Sequence, residues 1–147
     1  MHMHHDSNEG PCACTALRKA ARAVSRVYDD ALSGRGISTA QFAILRHVGR
    51  GEPVGLSPLA DQLAMDRTTL YRGLAPLEAK GWVAVEQGPG KARLASLTPA
   101  GRAAMNEAED DWHEVQARIV AALGAEQWAT LQSTLRAVTE IARQEIH

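Results

Sequence analysis

The sequence predicts a mainly α fold with one small β-hairpin, and three observations predict it. Apolar residues recur at alternating steps of three and four along the first segment and the last two, the spacing of one helix face. Ser, Thr or Asp stands directly ahead of the shorter segments between them, where helix-capping residues belong. Two short alternating runs flank Gly88-Pro89-Gly90, the arrangement of a hairpin.

The elements follow in order. Leu17, Ala21, Val24, Tyr28 and Ala31 place one apolar face on a first helix, from Thr15 to about Ser33, and Gly34 and Gly36 end it. Ser38 or Thr39 caps a second helix reaching about Val48. Its Phe42, Ile44, Leu45 and Val48 spread around much of the circumference, as in a buried helix. Residues 49–55 read as a loop. Ser57-Pro58 reads as a cap followed by proline at the first position of a short third helix, Pro58–Ala64. Asp66 caps a fourth from Arg67 to about Lys80, where Gly81 stops it, and Pro76 inside it is expected to bend or weaken its last turns. Trp82–Gln87 and Lys91–Leu97 form the hairpin. Thr98-Pro99 opens a fifth helix with the stripe Met105, Ala108, Trp112, Val115, Ile119 and Ala122. Gly124 separates it from a sixth carrying Trp128, Leu131, Leu135, Val138 and Ala142.

The 147 residues suit one domain, and 45% hydrophobic residues can bury a core that a disordered chain lacks. No run of about 18 apolar residues is available to span a membrane. The polar, His-rich start has no apolar stretch of secretory type, so residues 1–14 are expected as a flexible tail, in part an expression remnant, and the protein as cytoplasmic. Cys12 and Cys14 are too few for a disulfide scaffold. No motif calls for a cofactor.

The net charge of −1 hides an asymmetry. Residues 60–102 carry six basic and four acidic side chains, whereas residues 103–147 carry three and eight. A polyanion reads the local face rather than the total, so the middle of the chain is the candidate contact surface. There the order helix, short turn, helix, hairpin is that of a winged helix-turn-helix. At about 100° per residue, Leu70, Leu74 and Leu77 fall on one side of the fourth helix and Thr68, Arg72 and Ala75 on the other, with Thr69 and Tyr71 flanking. Small residues with one arginine suit the floor of a major groove. Arginine can bond guanine O6 and N7 together, and threonine hydroxyls bond phosphate or base edges. Arg67 stands at the helix start, where free N–H groups face phosphate. Lys91 and Arg93 alternate along the second hairpin strand, a wing suited to the minor groove.

The window Leu59–Val83, LADQLAMDRTTLYRGLAPLEAKGWV, and the stretch Leu94–Arg102, LASLTPAGR, resemble the MarR family of bacterial transcriptional regulators. The resemblance runs from Leu17 onward. It implies a single domain at 15–147, with a winged helix-turn-helix at about 37–101 and dimerisation helices at about 15–33 and 99–147. It further implies a triangular homodimer that reads double-stranded DNA at a palindromic operator, most members repressing transcription. On the residues alone the striped terminal helices could instead bundle within one subunit. Release of DNA by a small molecule or by cysteine oxidation is also what the resemblance implies. One departure stands out: the family's wing carries an acid followed by arginines where this chain has Pro89, Gly90 and Lys91.

Two sensing readings follow. Cys12 and Cys14 precede the first helix, with Arg18 and Lys19 near enough to favour a thiolate, which suits redox sensing. His2, His4 and His5 would extend the two thiols to a metal set, a reading outweighed by incidental cysteines. Tyr28, Phe42, His47 and Trp112 are candidates for a small-molecule pocket between the first, second and fifth helices, against the plainer reading that they are core. Rival functions are an enzyme and a helical interaction module without DNA. The sequence has no Gly-rich phosphate loop or nucleophile elbow, and His113 and Glu114 point about 100° apart on their helix.

Overall fold

The computed structural model describes residues 10–145. The expected mainly α fold with a small β wing is what it shows, with one added strand. Helix α1 (Ala13–Leu32) runs into a 3₁₀ turn, Ser33–Arg35, and Gly36 reverses the chain in the left-handed region at φ +68°. Helix α2 (Thr39–Gly51) starts with a reciprocal cap: Ser38 accepts from the Gln41 amide and Gln41 accepts from the Ser38 amide. It continues through Gly49 to Gly51, three residues beyond the expected end.

The segment read as a loop contains strand β1 (Val54–Gly55), which pairs antiparallel with β3. The hairpin strands β2 (Val83–Gln87) and β3 (Arg93–Leu97) lie where expected, so the sheet is three-stranded in the order β1-β3-β2. Lys91 is not on a strand but in the turn, closed by the Gly88 amide on the Ala92 carbonyl at 2.8 Å.

Helix α3 (Leu56–Gln62) begins two residues earlier than predicted. Leu56 is 5% exposed, and burying it draws the helix start into the core. Gly55 takes the cap position, without a side-chain bond, and Ser57 is not the cap. Helix α4 (Arg67–Ala79) is capped by Asp66 as expected. Pro76 does not break it. Its end is closed by two bonds, Trp82 amide to Leu77 carbonyl and Gly81 amide to Glu78 carbonyl, each 2.9 Å, with Gly81 at φ +75°. The same closure ends α3, through Met65 to Ala60 and Ala64 to Asp61, but there the left-handed position is Ala64 at φ 53°. That sharp exit makes the turn of the helix-turn-helix.

Leu70, Leu74 and Leu77 of α4 meet Phe42, Ile44, Leu45 and Val48 of α2, Leu56 and Leu59 of α3, and Val83 and Ala95 of the sheet in one buried cluster. Each fully buried aliphatic side chain contributes about 1.5–3 kcal/mol. Helix α5 (Pro99–Leu123) enters this cluster with Met105 and Ala108, then leaves it and runs along α1, where Val115 is buried. Helix α6 (Ala125–Glu145) packs on α5, and none of its described residues is buried. Among the described residues no helix is long and apolar enough to cross a membrane.

Candidate nucleic-acid interface

The three leucines that anchor α4 dictate what its other face presents. Thr68, Thr69, Tyr71 and Arg72 are all exposed. The Asp66 carboxylate accepts from the Thr69 amide at 2.7 Å. That amide and the Thr69 hydroxyl hold its pKa below the ordinary carboxylate value, with a smaller contribution from Arg72. The carboxylate thus engages Thr69 locally, which leaves Thr68, Tyr71 and Arg72 as the groups turned outward. Among the described residues Arg72, Lys91 and Arg93 enter no ion pair.

The fold brings the wing to the helix. A cleft of about 320 Å³ is lined by Ser57, Pro58, Arg67, Tyr71, Lys91 and Arg93, together with backbone from β1 and the wing. Arg67 donates to the Ser57 hydroxyl, which ties the start of α4 to α3. Three cations and two hydroxyls around one cleft, with no carboxylate among its lining residues, suit a backbone phosphate. Sequence reasoning missed Ser57 as a partner here because Ser-Pro is also a helix-start signal.

The wing is held at its base. Thr98 caps α5 by accepting from the Gly101 amide at 3.0 Å and donates its hydroxyl to the Gly81 carbonyl at 2.6 Å. Its own amide donates to the Trp82 carbonyl at 3.0 Å. Gly101 lies directly against that carbonyl, so the first turn of α5 touches the first residues of the wing.

Of the proposed pocket residues, three meet. Trp112 stands 6.5 Å from the Tyr28 ring and 6.2 Å from the Phe42 ring. The Tyr28 hydroxyl donates to Gln116, and burial raises its pKa. Phe42 is 1% exposed and belongs to the core cluster. His47 is not part of this group; its Nδ1 lies 2.8 Å from the Ala43 carbonyl of its own helix. Sequence reasoning overlooked Arg46, whose guanidinium stacks 4.1 Å over Trp112 and sits 3.8 Å from Glu109. Burial lowers its pKa, Arg50 lowers it further, and Glu109 opposes both.

Cys12 and Cys14 are both exposed. Cys12 occupies the N-cap position of α1. There the Thr15 amide and hydroxyl, facing the sulfur without completing a cap bond, lower the thiol pKa, with a smaller contribution from the Cys14 amide; Arg18 and Lys19 are not among the causes. His2, His4 and His5 lie outside the described residues, and among the described residues no cluster of His, Cys, Asp or Glu could hold a metal ion.

The MarR family model matches residues 37–94, from the approach to α2 to the start of β3. The transcriptional regulator MosR of M. tuberculosis, solved in complex with DNA, is 32% identical, with a TM-score of 0.83 over 91% of this chain and 98% of MosR. The chain belongs to the MarR family. A second MosR structure agrees, at TM-score 0.80 and 32% identity, covering 95% of this chain and 99% of that one. A mutant MarR from E. coli complexed with operator DNA is 26% identical, with TM-score 0.75 over 85% of this chain and 91% of its own. A comparison with curated proteins finds no match. The winged helix-turn-helix and the regulator class expected from the two quoted stretches therefore hold.

Proposed function

We propose that this MarR-family chain is a homodimeric repressor that reads a palindromic operator with one α4 helix per half-site. The observation that carries the reading is the two-sidedness of α4. Its leucines are buried to the last few percent, while Thr68, Tyr71 and Arg72 face outward beside a cationic cleft shared with the wing. Arg72 reads a base edge, Thr68 assists, and Arg67, Tyr71, Lys91 and Arg93 hold backbone phosphate. The DNA complexes of MosR and of E. coli MarR support this use of the shared fold. No residue is assigned a catalytic role.

The dimer rests on surface that one chain leaves open. Leu131, Leu135, Val138 and Ile141 of α6 are 36–60% exposed, and Leu17, Val24 and Val27 of α1 are similarly bare. Contiguous apolar stripes on two long helices are buried most simply by a two-fold copy. Residues 15–147 then act as one unit, with terminal helices pairing and residues 37–101 reading DNA.

Release by thiol oxidation is favoured by the exposed Cys12 with its lowered pKa and by Cys14 two residues on. Release by a small molecule is the second reading, favoured by the Tyr28–Trp112–Arg46 group between α1, α2 and α5. A salt titration on a selected operator tests the DNA reading. Affinity should fall steeply with salt while a preference for the palindrome persists. Equal, salt-insensitive retention of random duplex would remove it. Peroxide should release DNA from the parent and not from the Cys12→Ser/Cys14→Ser variant; a full response in that variant rejects thiol control.

A further inference from the structure

The wing of this chain lacks the acid that its resemblance led one to expect, and its base holds a carboxylate from another element. Glu52 ends α2, and Pro53 follows it. In the β1–β3 register Val54 faces Ala95, so position 52 faces Leu97 two positions beyond the last paired residues. Proline has no N–H to donate, and the short strand stops there. The Glu52 side chain takes over: its Oε2 accepts from the Leu97 amide at 2.7 Å. Its Oε1 pairs with Arg102 in the first turns of α5. One half-shielded carboxylate thus ties the end of α2, the return strand of the wing and the start of α5 together.

We infer that Glu52 is a positioning residue for DNA binding, setting the tilt of the wing, and so of Lys91 and Arg93, against the α5 end of the domain. The Glu52 side chain does not line the cleft at the proposed DNA face; it is joined to it by β3, whose first residue is Arg93, and by β1, whose Gly55 lies in the cleft wall. A five-residue strand transmits a tilt at its base to the tip as displacement, and phosphate contacts weaken with displacement. The inference rests on the proposed reading of DNA by α4 and the wing.

The test is a set of operator affinities with purified protein, each variant first checked for parental secondary structure and oligomeric state. Glu52→Ala should weaken operator binding about tenfold and lower the salt slope by about one, as loss of a wing phosphate contact does. Glu52→Gln keeps an acceptor for Leu97 but drops the charge toward Arg102, and should fall between parent and alanine. The deciding readout is coupling. In a Lys91→Ala background the Glu52→Ala loss should shrink to about twofold or less, whereas in an Arg72→Ala background it should stay near tenfold. An undiminished loss in the Lys91→Ala background, or no loss in either Glu52 variant, overturns the inference. If the alanine variant does not fold, the same cycle run with Glu52→Gln decides. If Arg72→Ala and Lys91→Ala both bind as the parent does, it is the DNA reading that fails.

Discussion

Replacing Gly101 by alanine sets a general rule against a local contact. Gly101 is the third residue of α5, and alanine is favoured over glycine in a helix by about 0.5–1 kcal/mol. By that rule the variant gains stability. The structure predicts a loss. An added Cβ would fall 2.7 Å from the Trp82 carbonyl carbon and 2.9 Å from its Cα, and nearer still to the oxygen. These are backbone atoms in a capped joint, so no rotamer change relieves them. Overpacking of this kind costs about 1–3 kcal/mol. Moving α5 away to relieve it would forfeit the Thr98 cap and the Thr98–Trp82 bond, about 1 kcal/mol each. After subtracting the propensity gain, the net is a destabilisation of about 0.5–2 kcal/mol. With a urea slope near 2 kcal/mol/M, the midpoint falls by about 0.25–1 M. Urea melts at one fixed protein concentration measure this, since the stability of the proposed dimer would depend on concentration. Gly73→Ala is the control: its added Cβ meets only the Cδ1 end of Ile44, at 2.5 Å, which can turn aside, and its loss should be smaller. A midpoint for Gly101→Ala equal to or above the parent's would refute the joint.

Four further outcomes are expected. Arg72→Ala should cost about 1–3 kcal/mol of operator affinity and relax one base position per half-site, read by competition with substituted duplexes. Ala64→Gly should raise the unfolding midpoint, because relieving a left-handed alanine worth about 1–2 kcal/mol exceeds the glycine entropy penalty; a lower midpoint contradicts it. Asp66 has a depressed pKa in the fold, so its support for α4 is complete above the ordinary carboxylate pKa and is lost as pH falls through the lower folded value. The protection factors of amides in the first turn of α4, referenced to the intrinsic exchange rate at each pH, should therefore fall on acidification in the parent and lose that dependence in Asp66→Asn. Leu135→Asp on α6 should shift sedimentation from dimer to monomer; an unchanged dimer would place the interface elsewhere.

Much of this fold was legible because its signals are local. Asp66, Ser38 and Thr98 announce their helices by cap chemistry that needs no tertiary partner, and the alternation of α4 between leucine and polar residues told which face would be outward. What the sequence concealed depends on distant partners. Strand β1 has only two residues, between Pro53 and Leu56, and exists because β3 offers a free edge. Ser57-Pro58 carries a start signal that burial of Leu56 overrides by two residues, which frees the Ser57 hydroxyl for Arg67. Glu52 has no pattern of its own, since its partners Leu97 and Arg102 lie 45 and 50 positions away in a chain that returns through the wing. Likewise the Cys12 thiol owes its lowered pKa to Thr15 first and the Cys14 amide second, at the helix start, whereas charge counting pointed to Arg18 and Lys19.

Selection of bound sequences from a random duplex pool by the purified protein bears most directly on the paired α4 helices. Enrichment of an inverted repeat with half-site centres about 10 base pairs apart, or a multiple of that, is the predicted result. A pool that stays random, or that converges on a single unpaired half-site, would contradict it.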